Sequence, residues 1–177
     1  LPPAPPGATQ HYFGTFGPQM PDFNLARPEV LDYHLSSLNF WLNRGLDGFR
    51  LDAVPHMIER DAAHWNDQPE SRALTKRLQD TIKAYPGRYV VCEATAQPQA
   101  YGDPALCGGA FAFGHVHHHV QAALGKVESV QQLAAYYRTA SPTMATFASN
   151  HDRFAGARLW DQVAGDTTRY KLAAAGY

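Results

Sequence analysis

Asp52 and Glu93 stand directly after short apolar stretches, in Arg50-Leu51-Asp52 and Cys92-Glu93, and Asp152 closes the polar segment Ser149-Asn150-His151-Asp152 that follows another. A carboxylate beside buried apolar residues costs desolvation energy, so its presence points to use. Two carboxyl groups facing each other across a cleft are the minimum equipment for cutting a glycosidic bond. One serves as nucleophile or base, and the other as a protonated acid. Residues two apart on a strand share a face. Arg50 therefore presents its charge beside Asp52, which suits a nucleophile that must stay ionised. Glu93 follows the wholly apolar run Tyr89-Val90-Val91-Cys92. Burial there raises its pKa and favours the protonated form an acid needs. For Asp52 alone, a structural salt bridge with Arg50 is the ordinary reading. The ordered set of three carboxylates shifts the balance towards chemistry.

The elements that must position these residues alternate in type. Leu31, Leu35, Leu38, Trp41 and Leu42 form one stripe and predict a helix over 28–43, started by Pro28 and stopped by Gly45. Trp41 is expected in the core as part of that stripe. A strand is predicted over 48–54, and a second helix over 71–85 with Leu74, Leu78, Ile82 and Tyr85 on one face. The run 89–92 predicts a strand buried on both sides. Further strands are expected over 110–115 and 144–148. Further helices are expected over 129–138, with Val130, Leu133, Ala134 and Tyr137 aligned, and from Thr167 onward. Strands alternating with amphipathic helices indicate an α/β fold built of parallel units. In such folds sites lie at the C-terminal strand ends, where the three carboxylates fall.

Four segments in order carry a family resemblance: QMPDFN (19–24), GFRLDAV (48–54), Glu93 at a strand end, and FASNHD (147–152). Together they resemble the α-amylase family, glycoside hydrolase family 13, over residues 19–177. The resemblance implies a partial (β/α)8 TIM barrel, strands four to seven with their helices. Residues 1–18 would be the tail of a loop domain inserted in that barrel, and 19–177 part of the catalytic barrel. It implies Asp52 as nucleophile, Glu93 as general acid/base and Asp152 as the carboxylate gripping sugar hydroxyls. Arg50 would hold the nucleophile ionised, His151 would bind hydroxyls of the cleaved sugar, and His56 would contact the leaving-group side. A retaining mechanism of this type sets the carboxyls of Asp52 and Glu93 roughly 5–5.5 Å apart. The implied substrate is an α-glucan or oligosaccharide with α-glucosidic bonds. QMPDFN is similar to motifs of α-glucosidases, oligo-1,6-glucosidases, neopullulanase-like enzymes and trehalose-forming isomerases, which favour short oligosaccharides. No cofactor is definite; calcium is a candidate for the parent enzyme. An earlier family motif ending in Asn-His has no match here. An eight-stranded barrel takes about 250 residues, and this chain has 177. The expected further partner is therefore the remainder of its own barrel. The alternative function is a non-catalytic or inactive piece of such a barrel, serving as a binding or structural module. The three filled carboxylate positions count against it.

Composition sets bounds. A net charge of −1 with no basic run argues against nucleic acid and anionic membranes as partners. No apolar stretch approaches the ~20 residues of a membrane span. Residues 1–10, without a charged or apolar segment, do not read as a signal peptide. Cys92 and Cys107 are too few for a disulfide framework. A buried thiol is the ordinary reading of Cys92, with a single disulfide left open. His115, His117 and His119 would share a strand face, yet no carboxylate or cysteine lies close enough in sequence to complete a metal site. Groove lining or plain surface is the expectation, and no metal ligand is assigned. Trp65, Tyr101 and Phe113 could stack on sugars, but core packing is the simpler role. Glu59, Asp61 and Asp67 read as a solvated loop.

Overall fold

The computed structural model describes residue 7, residues 11–152 and residues 156–177. Most of the expected loop-domain tail, residues 1–6 and 8–10, lies outside the described residues. The chain divides into two compact units: 1–48 with 54–88, and 49–53 with 89–177.

The first unit is built on two helices. Helix α1 (Pro28–Leu42) opens with Pro28, whose missing N–H costs nothing in a first turn, and Glu29 there complements the helix dipole. Its buried residues are Leu31 and Leu42. Trp41 does not join them. At about 100° per residue it is turned well away from Leu42, and it is half exposed, edge-on to Phe40 at 5.2 Å. The core expectation for Trp41 is corrected accordingly. Gly45, with φ of +89°, lets the chain leave the helix in a left-handed turn. Helix α2 (Pro69–Lys83) buries Leu74, Leu78 and Ile82, four residues apart, together with Ser71 and Thr75. Each of the three apolar side chains contributes about 1.5–3 kcal/mol as an upper bound. The buried hydroxyls are satisfied: Thr75 Oγ1 donates to the Ser71 carbonyl at 2.8 Å, and Ser71 Oγ accepts from the Ile58 N–H at 3.1 Å.

The second unit carries a four-stranded sheet in the order β1 (Gly48–Leu51), β2 (Tyr89–Cys92), β3 (Ala110–Phe111), β4 (Met144–Ala145). β2 and β3 are parallel with Cys92 opposite Ala110; β3 and β4 are parallel with Phe111 opposite Ala145. Spatial order follows chain order, as in a (β/α) barrel rather than a doubly wound sheet. Three strands are shorter than expected. β1 stops at Leu51 because Ala53 takes a left-handed φ of +45° and Val54–His56 form a 3-10 turn. β3 stops because Gly114, with φ of +93°, turns the chain into a helix.

That helix, α4 (Val116–Ala123), holds His117, His118 and His119, with His115 at its N-cap. The shared strand face expected for His115, His117 and His119 is thus replaced by a helical spread. Helices α3 (Pro98–Gly102) and α6 (Leu159–Gln162) were also not anticipated. Helix α5 (Val127–Thr139) buries Ser129 and Tyr136, whereas Val130, Ala134 and Tyr137 are exposed. The reason is α4, which covers the Tyr136 side; the His115 ring stacks on Tyr136 at 4.0 Å. A core of Val120, Ala123, Ala148, Leu159, Val163 and Ala173 joins α4 and α6 to helix α7 (Thr167–Ala174). Cys92 and Cys107 form a disulfide, so the thiol reading of Cys92 is replaced. Sequence spacing could not reveal the pairing because the two meet only through the β2–β3 crossover.

Candidate active site

β1 and β2 deliver the first two carboxylates to adjacent strand ends. The Glu93 N–H donates to the Leu51 carbonyl at 2.8 Å, which sets Glu93 beside the end of β1. Arg50 joins the two. Its Nη2 donates to Glu93 Oε2 at 2.8 Å, and its Nη1 forms an ion pair with Asp52. The left-handed turn at Ala53 aims the Ala53 N–H at Glu93 Oε2, at 3.3 Å. A non-glycine residue in that conformation is a strained feature of the kind that gathers at functional sites.

The two carboxylates differ sharply in surroundings. The Glu93 side chain is 8% exposed and that of Asp52 is 70% exposed. Burial raises the Glu93 pKa, and the hydrogen bond to Asp52 raises it further. The Arg50 charge and the Ala53 N–H pull the other way without overcoming burial. One guanidinium thus holds a carboxyl biased towards protonation next to one open to a substrate.

Arg50 also borders a cleft of about 250 Å³, shared with Phe111, Phe147, Ser149, Asn150 and His151. Its guanidinium carbon lies 6.0 Å from the centre of the Phe111 ring. Phe111, Phe113 and Phe147 pack edge-to-face on one another at 5.1–6.5 Å. Asp152 follows His151 and lies 3.5 Å from its Nε2, while the Asn150 side chain accepts the Asp152 N–H at 3.3 Å. The structure therefore brings Arg50, Asp52 and Glu93 into direct contact, and places His151 on the same cleft as Arg50 with Asp152 alongside.

His56 belongs to the other unit. There it stacks on Trp65 at 5.2 Å and meets Phe16 edge-on. Its pKa is lowered chiefly by burial, against the backbone of Trp65 and the charge of Asp22. Tyr101 is fully buried. Among the described residues no group of three His, Cys, Asp or Glu side chains is placed to hold a metal ion. Glu59 accepts from Thr15 Oγ1 at 3.0 Å, Asp61 pairs with His64, and Asp67 pairs with Arg72. Among the described residues no helix is long and apolar enough to cross a membrane.

A family model described as alpha amylase, catalytic domain, matches residues 7–174. The chain belongs to the alpha-amylase catalytic-domain family. Its relatives within that family include a trehalose synthase/amylase of Mycolicibacterium smegmatis. It is 40% identical over 108 residues, 58% of this chain and 18% of the relative. An alpha-glucosidase of Culex pipiens is 45% identical over 62 residues, 35% of this chain and 10% of the relative. The chain therefore spans under a fifth of the length of these relatives. Among solved structures, the alpha-amylase from H. orenii has a TM-score of 0.71 at 24% identity. It covers 92% of this chain and 34% of its own, and supports the α/β barrel architecture.

Three features of this candidate site were not found from sequence. The Ala53 N–H contact needs a backbone conformation that alanine does not announce. Phe111 and Phe147 carried no signal beyond being apolar strand residues. Asn150 stood inside the recognised FASNHD segment without an assigned role, and its place in that segment was signal enough to include it.

Proposed function

We propose that this chain carries the central catalytic residues of a retaining α-glucoside hydrolase or transglycosylase acting on α-glucosidic bonds of oligosaccharides. Residues 19–177 would be part of its (β/α)8 barrel and residues 1–18 the tail of an inserted loop domain. The observation that carries the reading is one guanidinium bound to two unlike carboxylates, buried Glu93 with a raised pKa and exposed Asp52. The similarity to a trehalose synthase/amylase and to an alpha-glucosidase supports an α-linked glucoside as substrate.

Glu93 begins protonated and gives its proton to the departing oxygen. Asp52 attacks the anomeric carbon as the C–O bond breaks and forms a covalent glycosyl ester. Glu93, now a carboxylate, takes a proton from water or from an acceptor sugar, whose oxygen displaces Asp52. Arg50 pairs with Asp52 before attack and steadies Glu93 once it has lost its proton. His151 and Asp152 hold hydroxyls of the bound sugar.

The test uses Asp52→Asn and Glu93→Gln in the intact protein, with the anomer of fresh product followed by NMR. Each variant should lose about 10²–10⁴-fold in kcat, and the wild type should release the α-anomer first. Glu93→Gln should regain its first step on a substrate whose leaving group needs no proton. Full activity in both variants would overturn the roles given to Asp52 and Glu93, and a wild type that binds oligosaccharide without turning it over would point instead to a binding module.

A further inference from the structure

Glu93 must meet two partners, Arg50 Nη2 at 2.8 Å and the Ala53 N–H at 3.3 Å. A displacement of a few tenths of an ångström breaks the longer contact. The residue is nevertheless the first beyond the end of β2, where the chain leaves the sheet. On one side Glu93 is fixed by its N–H to the Leu51 carbonyl; on the other, Cys92 donates to the Gly109 carbonyl at 2.8 Å. The path onward passes through Gln97, itself left-handed at φ +49°, and the five-residue helix α3. Helix α3 packs against β2 and β3 with Tyr101 fully buried, and no covalent tie other than the chain itself runs along that path. What closes it is the disulfide, which joins Cys92, the neighbour of Glu93, to Cys107 just before β3, 15 residues on. Both cysteines are fully buried, as is Tyr101, whose carbonyl accepts the Cys107 N–H at 3.2 Å.

Resting on the function proposed above, we propose that the Cys92–Cys107 disulfide is a positioning device for Glu93, so that acid/base catalysis depends on the bridge being closed. Opening it takes two electrons and two protons from a dithiol. The S–S bond becomes two thiols, and the dithiol becomes its own cyclic disulfide. The strand end then keeps its backbone hydrogen bond to Gly109 and the packing of α3 but loses its covalent tie to the residue before β3. Water reaches Glu93, and the burial that favours its protonated form weakens.

The experiment treats the intact protein with dithiothreitol. Alkylation and peptide mapping verify that Cys92 and Cys107 are linked before and free after. kcat, KM and the pH profile are compared in both states, and again after reoxidation. We expect kcat to fall about tenfold or more, the alkaline limb to move to lower pH, KM to change little, and oxidation to restore all three. The variant with Cys92→Ala and Cys107→Ala should show the reduced profile and ignore the reductant. Titration of ¹³C-labelled glutamate carboxyls reads Glu93 without activity. A shift there in a protein with no glycosidase activity would sink the proposed reaction but keep the positioning. An unmoved Glu93 titration and an unmoved pH profile would overturn the positioning role. So would loss of activity that only tracks loss of helical circular dichroism, and so would unlinked cysteines in the untreated protein.

Discussion

Replacing Arg50 by methionine removes the guanidinium shared by Asp52 and Glu93 and keeps most of the stem. Its pair with exposed Asp52 contributes little to stability. The pair with Glu93, only 8% exposed, carries most of the effect. Stranding one member of a buried pair costs about 3–5 kcal/mol. Here the Arg50 side chain is 33% exposed, so water already shares the guanidinium. The expected loss is about 2 kcal/mol at pH 7. With a urea slope of about 2 kcal/mol/M, the midpoint falls by about 1 M. The pH dependence gives the sharper test. Arg50 lowers the Glu93 pKa, so without it burial and the Asp52 hydrogen bond are opposed only by the Ala53 N–H and the folded value rises further. A group with a raised folded value contributes stability below its unfolded value, near 4.5, and loses it as pH rises through the folded value. The difference between wild type and Arg50→Met should therefore be large at neutral pH and shrink towards pH 4. The alkaline limb of the activity profile should move to higher pH. Urea melts at several pH values and kcat profiles read both. A loss of stability independent of pH, or a limb that stays or moves to lower pH, would refute the electrostatic reasoning.

Other perturbations probe the supports of the site. At Gly109 a Cβ would sit 2.7 Å from the Val90 carbonyl oxygen. Gly109→Ala should push on β2, cost about 1–3 kcal/mol by denaturant melt and lower kcat more than it raises KM. His119 is 3% exposed and its pKa is lowered, mainly by burial and also by His118 and His115. Its folded value lies below the ordinary 6.5. Its contribution is therefore complete above the unfolded value of 6.5 and is lost as pH falls from there through the folded value. Tyr137, packed beside it, has its pKa raised by burial and brings no negative charge to offset a proton. Wild type should lose stability between pH 7 and pH 5, and His119→Leu should flatten that slope in urea melts. An unchanged slope would move the effect to another group.

The alternation of strands and helices, the α/β class and the family were legible because they rest on local periodicity and on short motifs that survive without neighbours. The Leu74, Leu78 and Ile82 face of α2 is the clearest case: spacing alone names it, and it is buried as expected. Trp41 and the Val130–Tyr137 side of α5 show where periodicity stops. A helix has apolar residues on more than one side, and which side is covered depends on the element that packs there. For α5 that element is α4, in a stretch whose run of histidines hid its helical character.

The sequence by itself determined which residue types stand at strand ends: Arg50, Asp52, Glu93, His151 and Asp152. Side-chain alternation and apolar runs are properties of the local chain, so no tertiary knowledge was needed to find them. Only the tertiary structure decided how they meet. Arg50 and Glu93 are 43 residues apart, and their contact exists because β1 and β2 are neighbours in the sheet. The same pairing buries Glu93 and leaves Asp52 open, and burial is what raises the Glu93 pKa. The Ala53 turn and the Cys92–Cys107 bridge follow the same rule. Each depends on atoms that only chain crossovers bring within reach, and no pattern along a single strand encodes them.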